Sequence, residues 1–180
     1  MKKHTIFGIA TVGMTLLSSF ISKHEEVFKA DASLSTLEWS VDKGTKTETG
    51  TVQLLSGEIR NDHGTLSASF TVDMNSIKSQ KEELQNHLKG PDFFEVDKYS
   101  KATFVSTSIT PLATPKDGLT HTVKGNLTIK DKTHENVFDI AVMPENGKLV
   151  CSGTVMIEKA KCEAVKNDIK IKFNVVTVKQ

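Results

Sequence analysis

The chain has 180 residues, with 23 basic side chains against 22 acidic ones and a formal charge of +1. That balance supplies no basic footprint for nucleic acid, and the length suits one domain. The two cysteines, Cys151 and Cys162, lack the Cys-x-x-Cys spacing of a zinc site.

The first segment reads apart from the rest. Met1-Lys2-Lys3 is basic, and the 16 residues Ile6–Ile21 are mostly apolar or small. A membrane span needs ~20 apolar residues, so this pattern predicts a secretory signal peptide. Ala30-Asp31-Ala32 has the small-x-small form of a cleavage site, with a cut near Ser18–Ser22 as the alternative. An uncleaved N-terminal tether is the runner-up. No cysteine follows the apolar run, which argues against a lipoprotein anchor. Residues 1–32 are thus expected to be signal peptide and leader, and 33–180 the folded domain, exported to a periplasm or secreted. The leader carries four lysines and three acids, so the remainder has a formal charge of zero.

After Ser33 apolar and polar residues alternate, the mark of half-buried strands. Trp39-Ser40-Val41 and Val52–Leu55 are short candidates. Leu66, Ala68, Phe70, Val72 and Met74 then share one face. Phe104–Ile109 follows the helix described next. Val123, Gly125, Leu127 and Ile129 form a further face, as do Phe138, Ile140 and Val142. Leu149–Ile157 and the Ile169, Ile171, Phe173, Val175 series complete about eight strands. Asn61-Asp62-His63-Gly64, Pro115-Lys116-Asp117-Gly118 and Glu145-Asn146-Gly147 are turn clusters between them. Such spacing predicts a mainly β, antiparallel sandwich or barrel. Gly125, inside a strand, marks a bend or bulge. One short helix, around residues 80–89, interrupts the strands. Ser79-Gln80-Lys81-Glu82 fits a capping box, Leu84 and Leu88 share a face, and Gly90-Pro91 supplies a left-handed stop.

Candidate chemistry is sparse. A strand from Cys151 to Ile157 carries the chain ~20 Å, too far for the ~7 Å Cα separation of a disulfide. Two free, partly buried thiols are expected. No histidines share an element at metal-ligand spacing, and nucleophile-elbow, phosphate-loop and dinucleotide motifs are absent. Asp92, Glu95 and Asp97 cluster beside Phe93-Phe94, where a solvated loop face outweighs acid–base work. Phe70, Phe104, Phe138 and Phe173 sit on predicted inward faces. They either fill an ordinary core or line a cavity, since an eight-stranded barrel can do both.

Four segments, in order, resemble the YceI-like family of exported lipid- or polyisoprenoid-binding proteins with a lipocalin-like barrel. His87–Tyr99, reading HLKGPDFFEVDKY, is similar to its helix-end signature. Trp39-Ser40-Val41-Asp42, Phe70–Ile77 and Gly125–Thr133 match its opening, its pre-helix strand and its hairpin. The chain departs from the pattern at Lys43-Gly44 for His-Ser, at Lys130-Asp131 for His-Gly, and at Ile157–Val165, where an Arg-x-aromatic-Gly segment is missing. The resemblance implies a barrel lumen holding a polyprenyl or quinone-type lipid, with no other cofactor and no metal. Leu66, Phe70, Val72, Phe104, Leu127, Ile129, Phe138, Ile140, Ile171 and Phe173 would form its wall. Leu84, Leu88, Phe93 and Phe94 would shape its mouth. The expected partner is a long-chain isoprenoid-type lipid, not nucleic acid, with no stable membrane span and a homodimer allowed for. The rival readings are a filled barrel serving envelope stress or protein interaction, and a hydrolase using His87, Asp92 and Glu95.

Overall fold

The computed structural model describes residues 25–180. The basic start, the apolar run Ile6–Ile21 and the expected signal peptide lie outside the described residues. Nine antiparallel strands follow: β1 (Glu26–Ala30), β2 (Thr36–Asp42), β3 (Thr47–Asp62), β4 (Thr65–Ser79), β5 (Lys101–Lys116), β6 (Leu119–Ile129), β7 (Lys132–Glu145), β8 (Lys148–Ile157) and β9 (Ile169–Lys179). The one helix among the described residues, α1 (Glu82–Lys89), joins β4 to β5.

The sheet closes on itself. From β4 the strands pair in order through β5, β6, β7, β8 and β9, and β3 pairs back onto β4. Both β1 and β2 bridge β9 to β3, one above the other: β2 pairs with the first part of β3, β1 with the last. Nine strands therefore occupy eight positions, the size at which a barrel interior is filled or holds one small ligand. Asp31 makes the break between β1 and β2. Its carboxylate accepts the Ser33 and Leu34 backbone N–H groups at 2.9 and 3.3 Å and the Ser33 hydroxyl at 2.6 Å. Ser35 Oγ then accepts the Val176 N–H at 3.1 Å, tying the excursion to β9.

Strand β1 lies ahead of the domain limit expected at residue 33. Five residues give too short an alternation to read as a strand, yet Phe28 is buried with Ile59, Ala68 and Cys151. A cut within Ala30-Asp31-Ala32 would remove a strand of the barrel. Other strands outrun their sequence patterns. β5 extends past Ile109 to Lys116, with a register shift between Pro111 and Lys116. The three turn clusters are two-residue hairpin loops. Their central pairs, His63-Gly64, Asp117-Gly118 and Asn146-Gly147, all have positive φ, as a twisted hairpin prefers.

The caps of α1 differ from expectation. Lys81 is the N-cap and no side chain caps the helix. Ser79 is held in β4 opposite Gly50, so its hydroxyl only meets the Lys81 N–H, at 3.4 Å. Gly90 is extended, at φ −70 and ψ 173, not left-handed; the following proline forces that geometry. The left-handed residue is Glu95, at φ 50.

Glycines face aromatic rings across the wall. Trp39 pairs with Gly50, Phe70 with Gly57 and Phe173 with Gly153. Phe104 lies over Gly125, where a Cβ would come 2.4 Å from its Cζ. At Gly57 a Cβ would meet Phe70 Cδ1 at 2.2 Å. Gly125 is thus a seat for a ring. The missing side chains let large rings lie along the wall.

Gly57→Ala is expected to cost about 1–3 kcal/mol by overpacking. In a Phe70→Ala background the same change should cost less, by more than ~0.5 kcal/mol, in urea unfolding. Phe28→Ala should lose about 3–5 kcal/mol in the same assay, as a core residue of β1 would.

Candidate functional site

The inward faces enclose an apolar cavity of about 280 Å³. Its wall is carbon: aliphatic and aromatic side chains from β2–β9 together with Leu84, Leu88, Phe93 and Phe94. Phe104, Phe138 and Phe173 form a chain of tilted and edge-on rings, with centroids 5.5 and 6.0 Å apart. At one end Phe28, Ile59, Ala68 and Cys151 pack together with Leu66, Ile109, Val142 and Leu149. Thr177, fully buried, accepts the Leu149 N–H and donates to its carbonyl there. The polar lining residues Lys43, Glu48, His87 and Asn167 come from the opposite end. That end is the mouth, formed by the β2–β3 turn, α1 and the loop after β8.

Two segments cap the mouth. Residues after α1 coil back on it: Phe94 N–H bonds to Leu88 O at 3.1 Å, Glu95 N–H to Gly90 O at 2.9 Å and Val96 N–H to Lys89 O at 3.0 Å. The coil turns Phe94 and Val96 into the core and leaves Phe93 half-buried, edge-on to His87 at 5.4 Å. Lys130, in the β6–β7 turn, fastens this coil. Its ammonium donates to Phe93 O at 3.1 Å and pairs with Glu95 at 3.5 Å. The departure from His-Gly at Lys130-Asp131 therefore has a structural use. The second segment, between β8 and β9, buries Cys162 and Val165 and brings the Lys166 ammonium 5.3 Å from the Phe93 ring.

All fourteen residues named from the sequence as wall or mouth border this cavity. Sequence reasoning missed Trp39, Val52, Leu54, Ile77, Val123 and Val155, which border it as well. Alternation carries that signal for Val52 with Leu54 and for Val155 with Ile157. Trp39 also closes a long-range bond, its indole N–H to Lys78 O at 3.2 Å, which no local pattern reveals. Of the residues of the hydrolase reading, Glu95 pairs with Lys130 and Lys98, His87 packs on Phe93, and Asp92 is exposed. Among the described residues no cluster of His, Cys, Asp and Glu could hold a metal.

The cysteines are free and buried. Burial pushes the Cys151 thiol up to about 11, leaving it un-ionised and unreactive at neutral pH. A seam runs beside the mouth. The β7–β8 ladder stops at Ile140 and Gly153, although both strands continue. Asn136 Nδ2 bridges the gap to Met156 O at 2.9 Å. The Asn136 Oδ1 and both His134 ring nitrogens are buried without a protein partner. Burial lowers the His134 pKa below 6.5.

Fold and cavity together define a closed antiparallel barrel with an apolar interior, of the lipocalin-like type. The chain belongs to the YceI-like domain family, whose model matches residues 28–177. A UPF0312 protein of Staphylococcus epidermidis is 37% identical over 114 residues, 58% of this chain. The match spans 61% of that relative's length. BcnA of Burkholderia cenocepacia superposes with a TM-score of 0.71 at 23% identity, over 82% of this chain and 98% of that one. A polyisoprenoid binding domain from Saccharophagus degradans, implicated in plant cell wall breakdown, superposes with a TM-score of 0.59 at 15% identity, over 84% and 97%. At these identities the likeness to the two structures is one of fold. No helix among the described residues is long and apolar enough to cross a membrane.

The His134 shift gives a pH prediction. The ring binds its proton less readily folded than unfolded, so stability is full above 6.5, the ordinary value. It declines as pH falls below that value and levels off under the folded pKa. Urea unfolding between about pH 8 and 5 should show a smaller loss for His134→Gln than for the unaltered protein.

Proposed function

We propose that this protein is exported and holds one long-chain, isoprenoid- or quinone-type lipid in its lumen, as a carrier or sequestering protein. The observation that carries this reading is the hollow itself. An apolar tube of about 280 Å³ is near the lower end of the ~300–1,000 Å³ typical of ligand pockets. Burying a hydrocarbon tail there yields about 0.8 kcal/mol per methylene. Binding also fits the polar groups, because Glu95 in the mouth coil is held by lysines. The name of the Saccharophagus neighbour adds support for the isoprenoid class. Export rests on the basic and apolar start of the sequence. The mature chain would begin before Glu26, since β1 is part of the barrel.

The test is an organic extract of protein purified from its native host, read by mass spectrometry. A near-stoichiometric long-chain lipid is expected. Leu127→Trp, which fills the lumen, should weaken the affinity for added polyprenol about tenfold, a loss near 1.4 kcal/mol, with the far-UV spectrum kept. An extract free of lipid, together with no uptake of added polyprenol, would overturn the reading.

A further inference from the structure

One line of the wall lacks the ladder that holds the rest. β7 pairs with β8 from Glu145–Lys148 up to Ile140–Gly153 and no further. Both strands run on beyond that point, and each stays paired on its other side: β7 with β6 as far as Lys132, β8 with β9 as far as Ile157. The slit therefore lies between two sound strands. The lumen reaches both of its lips, since Phe138, Val155 and Ile157 line the cavity. On the outside the lips carry Val137 and Met156, 60% and 41% exposed. Within the slit the Asn136 side chain, 9% exposed, makes one bond across, from Nδ2 to Met156 O at 2.9 Å. Asn136 Oδ1 and both His134 ring nitrogens are the buried side-chain atoms without a partner among the described residues. At the mouth end the slit is spanned by the exposed Lys132–Glu163 pair, at 3.7 Å. The β4–β5 ladder also ends early, at Ser69–Val105. There, however, Ser106 Oγ accepts the Ala68 N–H at 2.8 Å, and the orphaned atoms are all at the other slit.

We propose that the β7–β8 slit is a side portal through which a long-chain ligand enters and leaves the lumen. The inference rests on the lipid-binding reading above and adds the route. The closed slit keeps buried polar atoms unpaired, which is costly. Opening it lets water reach them and breaks one side-chain hydrogen bond but no ladder. Local opening falls where few backbone hydrogen bonds oppose it. The apolar lips let a hydrocarbon chain pass sideways from outside to lumen. The mouth, capped by two segments, admits it only end-on.

The experiment locks the slit. Carried on, the Ile140–Gly153 register sets Val137 opposite Met156. Val137→Cys/Met156→Cys is therefore oxidised, or bridged with dibromobimane where the thiols lie too far apart for a disulfide. The native cysteines are buried and do not compete. Stopped-flow fluorescence then follows uptake and release of cis-parinaric acid, a polyene fatty acid that brightens in an apolar site. Both rates should fall about tenfold in the locked protein, a barrier higher by about 1.4 kcal/mol, with the equilibrium affinity kept. Dithiothreitol should restore them in the disulfide form, so the reduced variant is its own reference for folding. Val105→Cys/Asn126→Cys, exposed and paired across β5 and β6, is the control lock and should leave both rates as they were. Unchanged rates in the locked slit, equal slowing by the control, or a pair that neither reagent joins overturns the portal while leaving the lipid reading intact. No uptake by the unaltered protein overturns both.

Discussion

The hollow depends on where the aromatic rings go. Large side chains on the inner face of an eight-position barrel would ordinarily meet at its axis. Here a glycine stands beside Trp39, Phe70, Phe104 and Phe173 on the neighbouring strand, and each ring lies against bare backbone. Phe104, Phe138 and Phe173, on alternate strands, still meet one another, with centroids 5.5 and 6.0 Å apart. The arrangement has a cost, because glycine weakens a strand. Close contact between ring and backbone offsets part of it, and the result is a dry lumen in a chain of modest size.

Closure is the second constraint. A sheet that meets itself has no edges to protect, and here it meets through a position shared by two short strands. The split lets Asp31–Ser35 leave the wall while Ser35 keeps β9 satisfied. β1 brings Phe28 against Ile59, Ala68 and Cys151 at the end away from α1. The entrance is built from segments between strands, where side chains are free of the inward–outward alternation. Charge gathers there for that reason. Lys130 and Glu95 fix the coil after α1.

Different parts of this arrangement leave different traces in the sequence. The long strands are legible because each residue's side is set by its neighbours two places away: Leu66 to Met74 and Ile169 to Val175 announce their inner faces. The helix is legible from Leu84, Leu88 and Pro91. Its caps are not, because Ser79 is taken by the β4 ladder and Gly90 is constrained by the proline after it. β1 is illegible at five residues and becomes a strand only because β3 and β9 offer it two partners. The isolated phenylalanines leave both a packed and an open interior available, since the glycines that seat them are assigned by pairing register.

By itself, the sequence determined the antiparallel strands of a sandwich or barrel, a single helix, the inward faces and the resemblance to one family of barrels, all encoded locally or in short ordered motifs. The tertiary structure alone decided that the interior is hollow, that β1 belongs to the wall, and that Lys130 of the β6–β7 turn fastens the coil after α1. Each of these depends on which strands become neighbours, and closure of the sheet joins residues that the chain keeps far apart.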